Sequence, residues 1–140
     1  MTMRLEIYRD LPAAAMTVRQ IVFVEEQGFV DEYDENDPAA THFVLFDGDT
    51  PVATCRVFPK ADTKDYYLGR LAVMKPYRGQ GIGARMLREA EDYVRSVDGR
   101  AILLHSQSAA EGFYAACGYI PTGQRDAEQG CPHVWMKKEL

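Results

Sequence analysis

The sequence predicts an α+β fold, a mixed and mostly antiparallel sheet covered by helices. Three observations predict it. Partial period-two alternation marks the start of the chain, two apolar runs flank a turn signal after residue 40, a 3.6-residue period rules residues 81–97, and short apolar runs return afterwards. Glycine, proline or Asp-Gly breaks separate the runs. The chain has 140 residues, 46% hydrophobic and 26% charged, which fits one domain over 1–140 with a core that needs no disulfide or metal.

Thr2–Arg9 alternates partly and reads as a first strand. Leu11–Gln27 reads as a helix. Pro12 suits its first turn, Val18, Ile21, Val22 and Glu25 fall at helical spacing, and Gly28 stops it. The acidic run Asp31–Asp37 is expected to be a solvated, self-repelling loop; its sharper reading is a rim that attracts a cationic substrate. His42–Phe46 and Val52–Phe58 flank the turn Asp47-Gly48-Asp49 and make a hairpin. Pro59–Asp65 is a polar turn, and Tyr66–Val73 adds a third strand. Gly81–Val97 is the clearest helix. Ile82, Met86, Leu87, Ala90, Tyr93, Val94 and Val97 form one stripe, with Arg85, Arg88, Glu89, Glu91, Asp92 and Arg95 on the other face. Asp98-Gly99 closes it. Ala101–His105 is a buried strand, and Ser108–Cys117 a helix capped by Ser106 or Ser108 and stopped by Gly118. Tyr119–Thr122 is a short strand, Asp126–Gly130 a loop and His133–Lys137 the closing strand. Antiparallel strands followed by a strand–helix–strand crossover give the mixed sheet.

Composition excludes several classes. The net charge is -5, with 16 basic against 21 acidic residues, and leaves no electrostatic footprint for nucleic acid. The longest stretch without a charged residue, Gly112–Gln124, is too short for a membrane span and is interrupted by Gly118 and Pro121. No secretory signal is visible at the N-terminus, and the 3 cysteines form no C-x-x-C pair, so a reduced cytoplasmic chain with free thiols is expected. Cys117 reads as a small core residue. His42, His105 and His133 are scattered singly, so no metal is expected.

The chemistry concentrates in Leu71–Ala84. A strand runs through Met74-Lys75-Pro76-Tyr77-Arg78 into Gly79-Gln80-Gly81-Ile82-Gly83-Ala84, which opens the best helix. A helix start leaves N–H groups unpaired and carries partial positive charge, and glycines let a diphosphate approach them. No Lys-Ser or Lys-Thr follows, so this is not a P-loop. Gly79, Gly81 and Ala84 satisfy G-x-G-x-x-G/A, but the next strand ends in His105-Ser106-Gln107 rather than an acid, and 140 residues leave no room for a dehydrogenase's second domain. A nucleotide-cofactor oxidoreductase is therefore the weakest reading.

Arg78-Gly79-Gln80-Gly81-Ile82-Gly83, the preceding Leu-Ala-Val strand, and Phe113-Tyr114 followed by Gly118-Tyr119 resemble the landmarks of the GNAT N-acetyltransferases. Arg19, Val22-Phe23-Val24-Glu25-Glu26-Gln27, His42, Gly69-Arg70, Gln107, Gly130-Cys131-Pro132-His133 and Met136 resemble its ElaA/YjcF-like group. The resemblance implies acetyl-CoA as donor, helices on both sheet faces, and a splay between the Tyr66–Val73 and Ala101–His105 strands that takes the pantetheine arm. It implies that Leu71, Ala72 and Val73 bind that arm, and that the N–H groups of Arg78, Gly79, Gln80, Gly81, Ile82, Gly83 and Ala84 hold the pyrophosphate. Tyr114 is implied as the acid beside the thioester sulfur, with a core aromatic as its bland alternative. Glu26 is the candidate base, His42, Arg70 and His133 are candidate acceptor-binding residues, and Gln107 orients the acceptor or binds cofactor. Arg70 is expected to meet an acidic substrate group or to pair with Glu26. His105 stands where the gap should be but outside the group's pattern. The expected reaction is acetyl transfer to a primary amine of a small molecule or protein, and dimers are common in the superfamily. A catalytically idle acyl-CoA-binding sensor is the alternative of a different class.

Overall fold

The strand β2 (Thr41–Asp47) is buried along nearly its whole length, which requires cover on both faces. The computed structural model, which describes residues 3–29 and 33–140, shows that cover. Thr2 of the first predicted strand and Asp31 and Glu32 of the acidic run lie outside the described residues. Phe43 and Leu45 pack with Ile82, Met86, Leu87, Ala90 and Val94 of α2 (Ile82–Ser96) on one face. Val44 and Phe46 pack with Ala15 of α1 (Ala13–Arg19) on the other. The α2 stripe is thus the predicted one, except that Val97 ends 42% exposed past the last turn and that Glu91, predicted on the solvent face, is buried, where it accepts from Tyr119 and Lys138. Asp98, not Gly99, takes the left-handed conformation at that end (φ 65°), and a side chain on Gly99 would collide with Val94.

The remaining strands are β1 (Met3–Tyr8), β3 (Thr50–Pro59), β4 (Asp65–Val73), β5 (Ala101–Gln107), β6 (Ile120–Glu128) and β7 (Cys131–Glu139), in one sheet ordered β1-β2-β3-β4-β5-β7-β6. Only β4 and β5 pair in parallel, across the α2 crossover. No helix among the described residues is long and apolar enough to cross a membrane.

Three local predictions are corrected. The first predicted helix is α1 followed by a wider π-helical segment, Gln20–Glu26. Neither Ser106 nor Ser108 caps α3 (Glu111–Ala116). Ser108–Ala110 form a 3-10 turn, and the Ser106 hydroxyl donates to the carbonyl of Gln107 instead. Asp126–Glu128 are strand rather than loop, since β6 pairs with β7 through Asp126↔His133 and Glu128↔Cys131. Every residue of β6 is exposed at the sheet edge, so the strand carries no apolar alternation to betray it.

The feature that positions the site is the parting of β4 from β5. Their pairing runs from Asp65↔Ala101 to Leu68↔Leu104 and stops. On the other side of β4, the step from Gly69 to Ala72 is matched on β3 by the shorter step from Arg56 to Thr54, so β4 carries an extra residue. Arg70 sits in that bulge at φ 53°, a left-handed conformation rare outside glycine. A bulge bends its strand, and here β4 leaves its parallel neighbour at that point.

Candidate active site

Beyond Leu68 the β4 groups that would have paired with β5 have no ladder partner. Such groups are expensive to leave unpaired when buried, and an extended amide-bearing arm can satisfy them. A cavity of about 380 Å³ occupies the parting, with Leu71 of β4, Leu104 of β5, Phe23 of the π-helix and Tyr114 of α3 among its walls.

Beyond the gap, β4 runs on through the turn Lys75–Tyr77 to the start of α2. Gly79 and Gly81 have φ 78° and 77°, a conformation that favours glycine, and no side chain caps the helix. Its first N–H groups are therefore free for an anion. Gly83 serves a different purpose: a side chain there would sit 3.0 Å from the Phe113 ring, so glycine lets α3 approach α2. A separate shallow groove of about 300 Å³ beside this helix start is lined by Gln80, Gly81, Ile82, Arg85 and Arg88 together with Met3 of the edge strand β1. Those two arginines read in the sequence only as the solvent face of the helix. Arg78 is already engaged. Its Nε donates to the Val73 carbonyl (2.9 Å), and its Nη2 grips both oxygens of Glu26 (3.1 and 2.9 Å).

Tyr114 stands half-buried between Phe113 (ring centroids 5.0 Å apart) and Tyr119 (6.0 Å). Its hydroxyl makes no hydrogen bond among the described residues, while that of Tyr119 is taken by Glu91 at 3.0 Å. Burial pushes the Tyr114 phenol well above the usual tyrosine range, so it keeps its proton at neutral pH.

The opposite end of the cavity is polar and aromatic. His105 stacks on Trp135 (4.6 Å, 19°) and lies 4.4 Å from the ring of His133. Its Nε2 is hydrogen-bonded to Asp126, and its Nδ1 is 3.6 Å from Glu128. His133 donates from Nδ1 to the Cys131 carbonyl (2.8 Å) and places Nε2 3.9 Å from Glu128. Phe58 and Tyr67 complete an aromatic wall.

The GNAT acetyltransferase domain model matches residues 15–140. The chain belongs to the GNAT acetyltransferases. YjcF of Bacillus subtilis, named an uncharacterized N-acetyltransferase, is 32% identical over 130 residues, covering 89% of this chain and 90% of its own. A crystal structure of a candidate N-acetyltransferase from Lactobacillus plantarum superposes with a TM-score of 0.91 at 35% identity, covering 100% of this chain and 99% of that one. Escherichia coli ElaA superposes at 0.87 with 23% identity, covering 99% and 100%, a likeness of fold. The GNAT fold binds acyl-CoA, and the parting of β4 from β5 beside the glycine turn is where this member has unpaired backbone to offer.

Several predicted residues meet in this GNAT cavity and others do not. Leu71, Arg70, Gln107, Tyr114 and His133 line it. Gln107 donates to the Gln27 side chain (2.6 Å), which straps β5 to the end of the π-helix. Ala72 turns its side chain to Val18 and Val22 on the α1 face, which leaves only its backbone near the gap. Glu26 is not placed as a free base, because Arg78 holds it in a bidentate pair outside the cavity lining. His42 is not an acceptor ligand in this structure. It is 1% exposed, and its Nε2 lies 3.0 Å from the Asp37 carbonyl. Arg70 reaches Asp34 (3.3 Å) rather than Glu26.

Asp34 and Asp37 of the acidic run are likewise not a free rim, whereas Glu35 is exposed. Asp37 accepts from both Nη1 and Nη2 of Arg19 (2.8 and 2.9 Å) and from Arg56 (2.8 Å), and Asp34 accepts from Arg56 at 2.6 and 2.9 Å. Burial by itself would raise the Asp37 carboxyl, but the two guanidiniums outweigh it and hold it well below the usual carboxylate range. Charge composition shows too many acids in one place. It cannot show the arginines that arrive from α1 and β3.

Proposed function

We propose that the chain transfers the acetyl group of acetyl-CoA to a primary amine of a small molecule or protein by direct attack. One observation carries this reading. Where β4 parts from β5 it leaves unpaired backbone on the strand that leads to an uncapped, glycine-opened helix start, and the cavity there is lined by a protonated Tyr114 whose hydroxyl has no protein partner among the described residues. The pyrophosphate lies on the N–H groups from Arg78 to Ala84, aided by Arg85 and Arg88, and the pantetheine arm pairs with Leu71–Val73. The neutral amine enters at the His105–Trp135 end and attacks the thioester carbonyl. The C–N bond forms while a β4 N–H near Val73 steadies the oxyanion. The C–S bond then breaks, and Tyr114 gives its proton to the departing sulfur. The proton lost by the amine nitrogen leaves to water at the polar mouth, and Tyr114 recovers one from the same water. The transfer needs no metal, and the three free thiols suit a reducing cytoplasm.

Thermal denaturation with acetyl-CoA, CoA, NAD and ATP tests the donor. Acetyl-CoA and CoA should stabilise, by about 2.7 kcal/mol at a hundredfold excess over Kd. Stabilisation by NAD and not by CoA would refute the reading. Release of free thiol across a panel of amines tests the reaction; binding without turnover on any amine would leave an acyl-CoA-binding module instead.

A further inference from the structure

We propose that His105, His133 and Glu128 form a binding site for a zinc-class divalent cation at the acceptor end of the cavity. The residues come from three strands, and pairing register puts them on one sheet face. His105 opposes Trp135, and His133 lies two residues from Trp135 and so shares its face. Asp126 opposes His133, and Glu128 lies two residues from Asp126. Their donor atoms all fall within 4.8 Å of one another.

The hydrogen bonds around the rings decide what those atoms present. A carbonyl can only accept, so the Cys131 carbonyl places the His133 proton on Nδ1 and leaves a lone pair on Nε2. The Asp126 carboxylate stands at His105 Nε2, so a proton donated to it there leaves a lone pair on Nδ1. Both lone pairs face one oxygen of Glu128, at 3.6 and 3.9 Å. Among the described residues no donor stands between these three acceptors. A cation between them, or a second proton on one ring, relieves their mutual repulsion, and metal uptake tells the two apart.

The donor set fits zinc. Zn–N and Zn–O bonds of about 2.0–2.2 Å place neighbouring ligands of a tetrahedral ion roughly 3.4 Å apart. The donor atoms stand within 4.8 Å of one another, so the exposed Glu128 side chain and a small turn of the two rings close on the ion. Two imidazoles and a carboxylate leave a fourth position open, and each ring donates its other N–H to an outer acceptor, the arrangement that orients metal-binding histidines. Because the ion occupies the end where the amine enters, zinc competes with the acceptor and not with acetyl-CoA. That consequence rests on the acetyltransferase reading; the binding does not.

Chelator-treated protein is titrated with Co²⁺ and then Zn²⁺ at neutral pH without acetyl-CoA. The expected result is visible Co²⁺ ligand-field bands at one ion per chain, displaced by Zn²⁺. His105→Ala and His133→Ala abolish them, and Cys131→Ser leaves them intact. Asp126→Asn, at an exposed outer position, weakens binding about ten- to a hundredfold. Far-UV circular dichroism checks each variant; if His133→Ala does not fold, Glu128→Gln replaces it and should weaken binding at least as much as Asp126→Asn. Absence of uptake by the unaltered chain at micromolar Zn²⁺ would overturn the site, as would undiminished uptake by His105→Ala or Glu128→Gln. No uptake with normal acetyl transfer defeats the site alone, and uptake without acetyl transfer defeats the proposed function alone.

Discussion

Asp37→Asn removes one charge and almost no volume, and its cost can be worked from its surroundings. The carboxylate is 5% exposed and is shared by Arg19, itself 1% exposed, and Arg56, 3% exposed. Asparagine offers one accepting oxygen where Arg19 and Arg56 now use two, and turns an N–H₂ toward a guanidinium. Arg56 Nε is already buried without a partner, so the cluster has no spare acceptor to give. Removing one partner of a buried charge set costs about 3–5 kcal/mol. For a chain of this size that lowers Tm by roughly 10–20 °C and the urea midpoint by about 2 M. The acid limb changes too. The Asp37 and Asp34 carboxyls titrate lower in the folded chain than in the unfolded one. The unfolded chain therefore takes up protons first, and their contribution is complete above about pH 5 and drains as pH falls toward the folded values. Asp37→Asn should flatten that limb. Urea melts from pH 7 to pH 3 measure both effects. A loss under about 1 kcal/mol at pH 7, or an unchanged acid limb, would refute the claim that Asp37 neutralises the two arginines.

Tyr114→Phe should lower turnover roughly a hundredfold or more while calorimetric acetyl-CoA affinity stays nearly unchanged; unchanged turnover removes Tyr114 from the chemistry. Gly81→Glu should abolish CoA binding, because a carboxylate enters the phosphate site and any side chain strains the left-handed backbone there; normal binding would show that the pyrophosphate lies elsewhere. Glu26→Gln should leave turnover within a small factor and cost about 1 kcal/mol or less, since its pair with Arg78 is half-exposed. A hundredfold loss of turnover would restore Glu26 as the base.

Much of the cofactor side is legible in the amino-acid sequence. The strand, the glycine turn and the α2 stripe from Leu71 to Val94 are contiguous, so local periodicity and the φ demands of Gly79 and Gly81 suffice to read them. Arg85 and Arg88 show in the sequence only as a polar helix face, because their place beside the groove at the start of α2 depends on where the loop folds back. Glu26 and His42 carry the right chemistry for catalysis. Their partners, Arg78 and the Asp37 carbonyl, lie far enough away in sequence or in an irregular enough loop that spacing does not announce them.

Sequence alone thus determined the α+β class, the GNAT resemblance and the glycine turn that opens α2, all carried by short-range pattern. Only the tertiary structure decided the polar, aromatic end of the cavity. His105, Asp126, Glu128, His133 and Trp135 come from three strands, one of them the exposed β6 that has no apolar signature. Strand register, a long-range property set by packing and pairing, places them on one face. The same long-range closure turned Asp34 and Asp37 from a surplus of surface charge into the counter-ions of buried arginines.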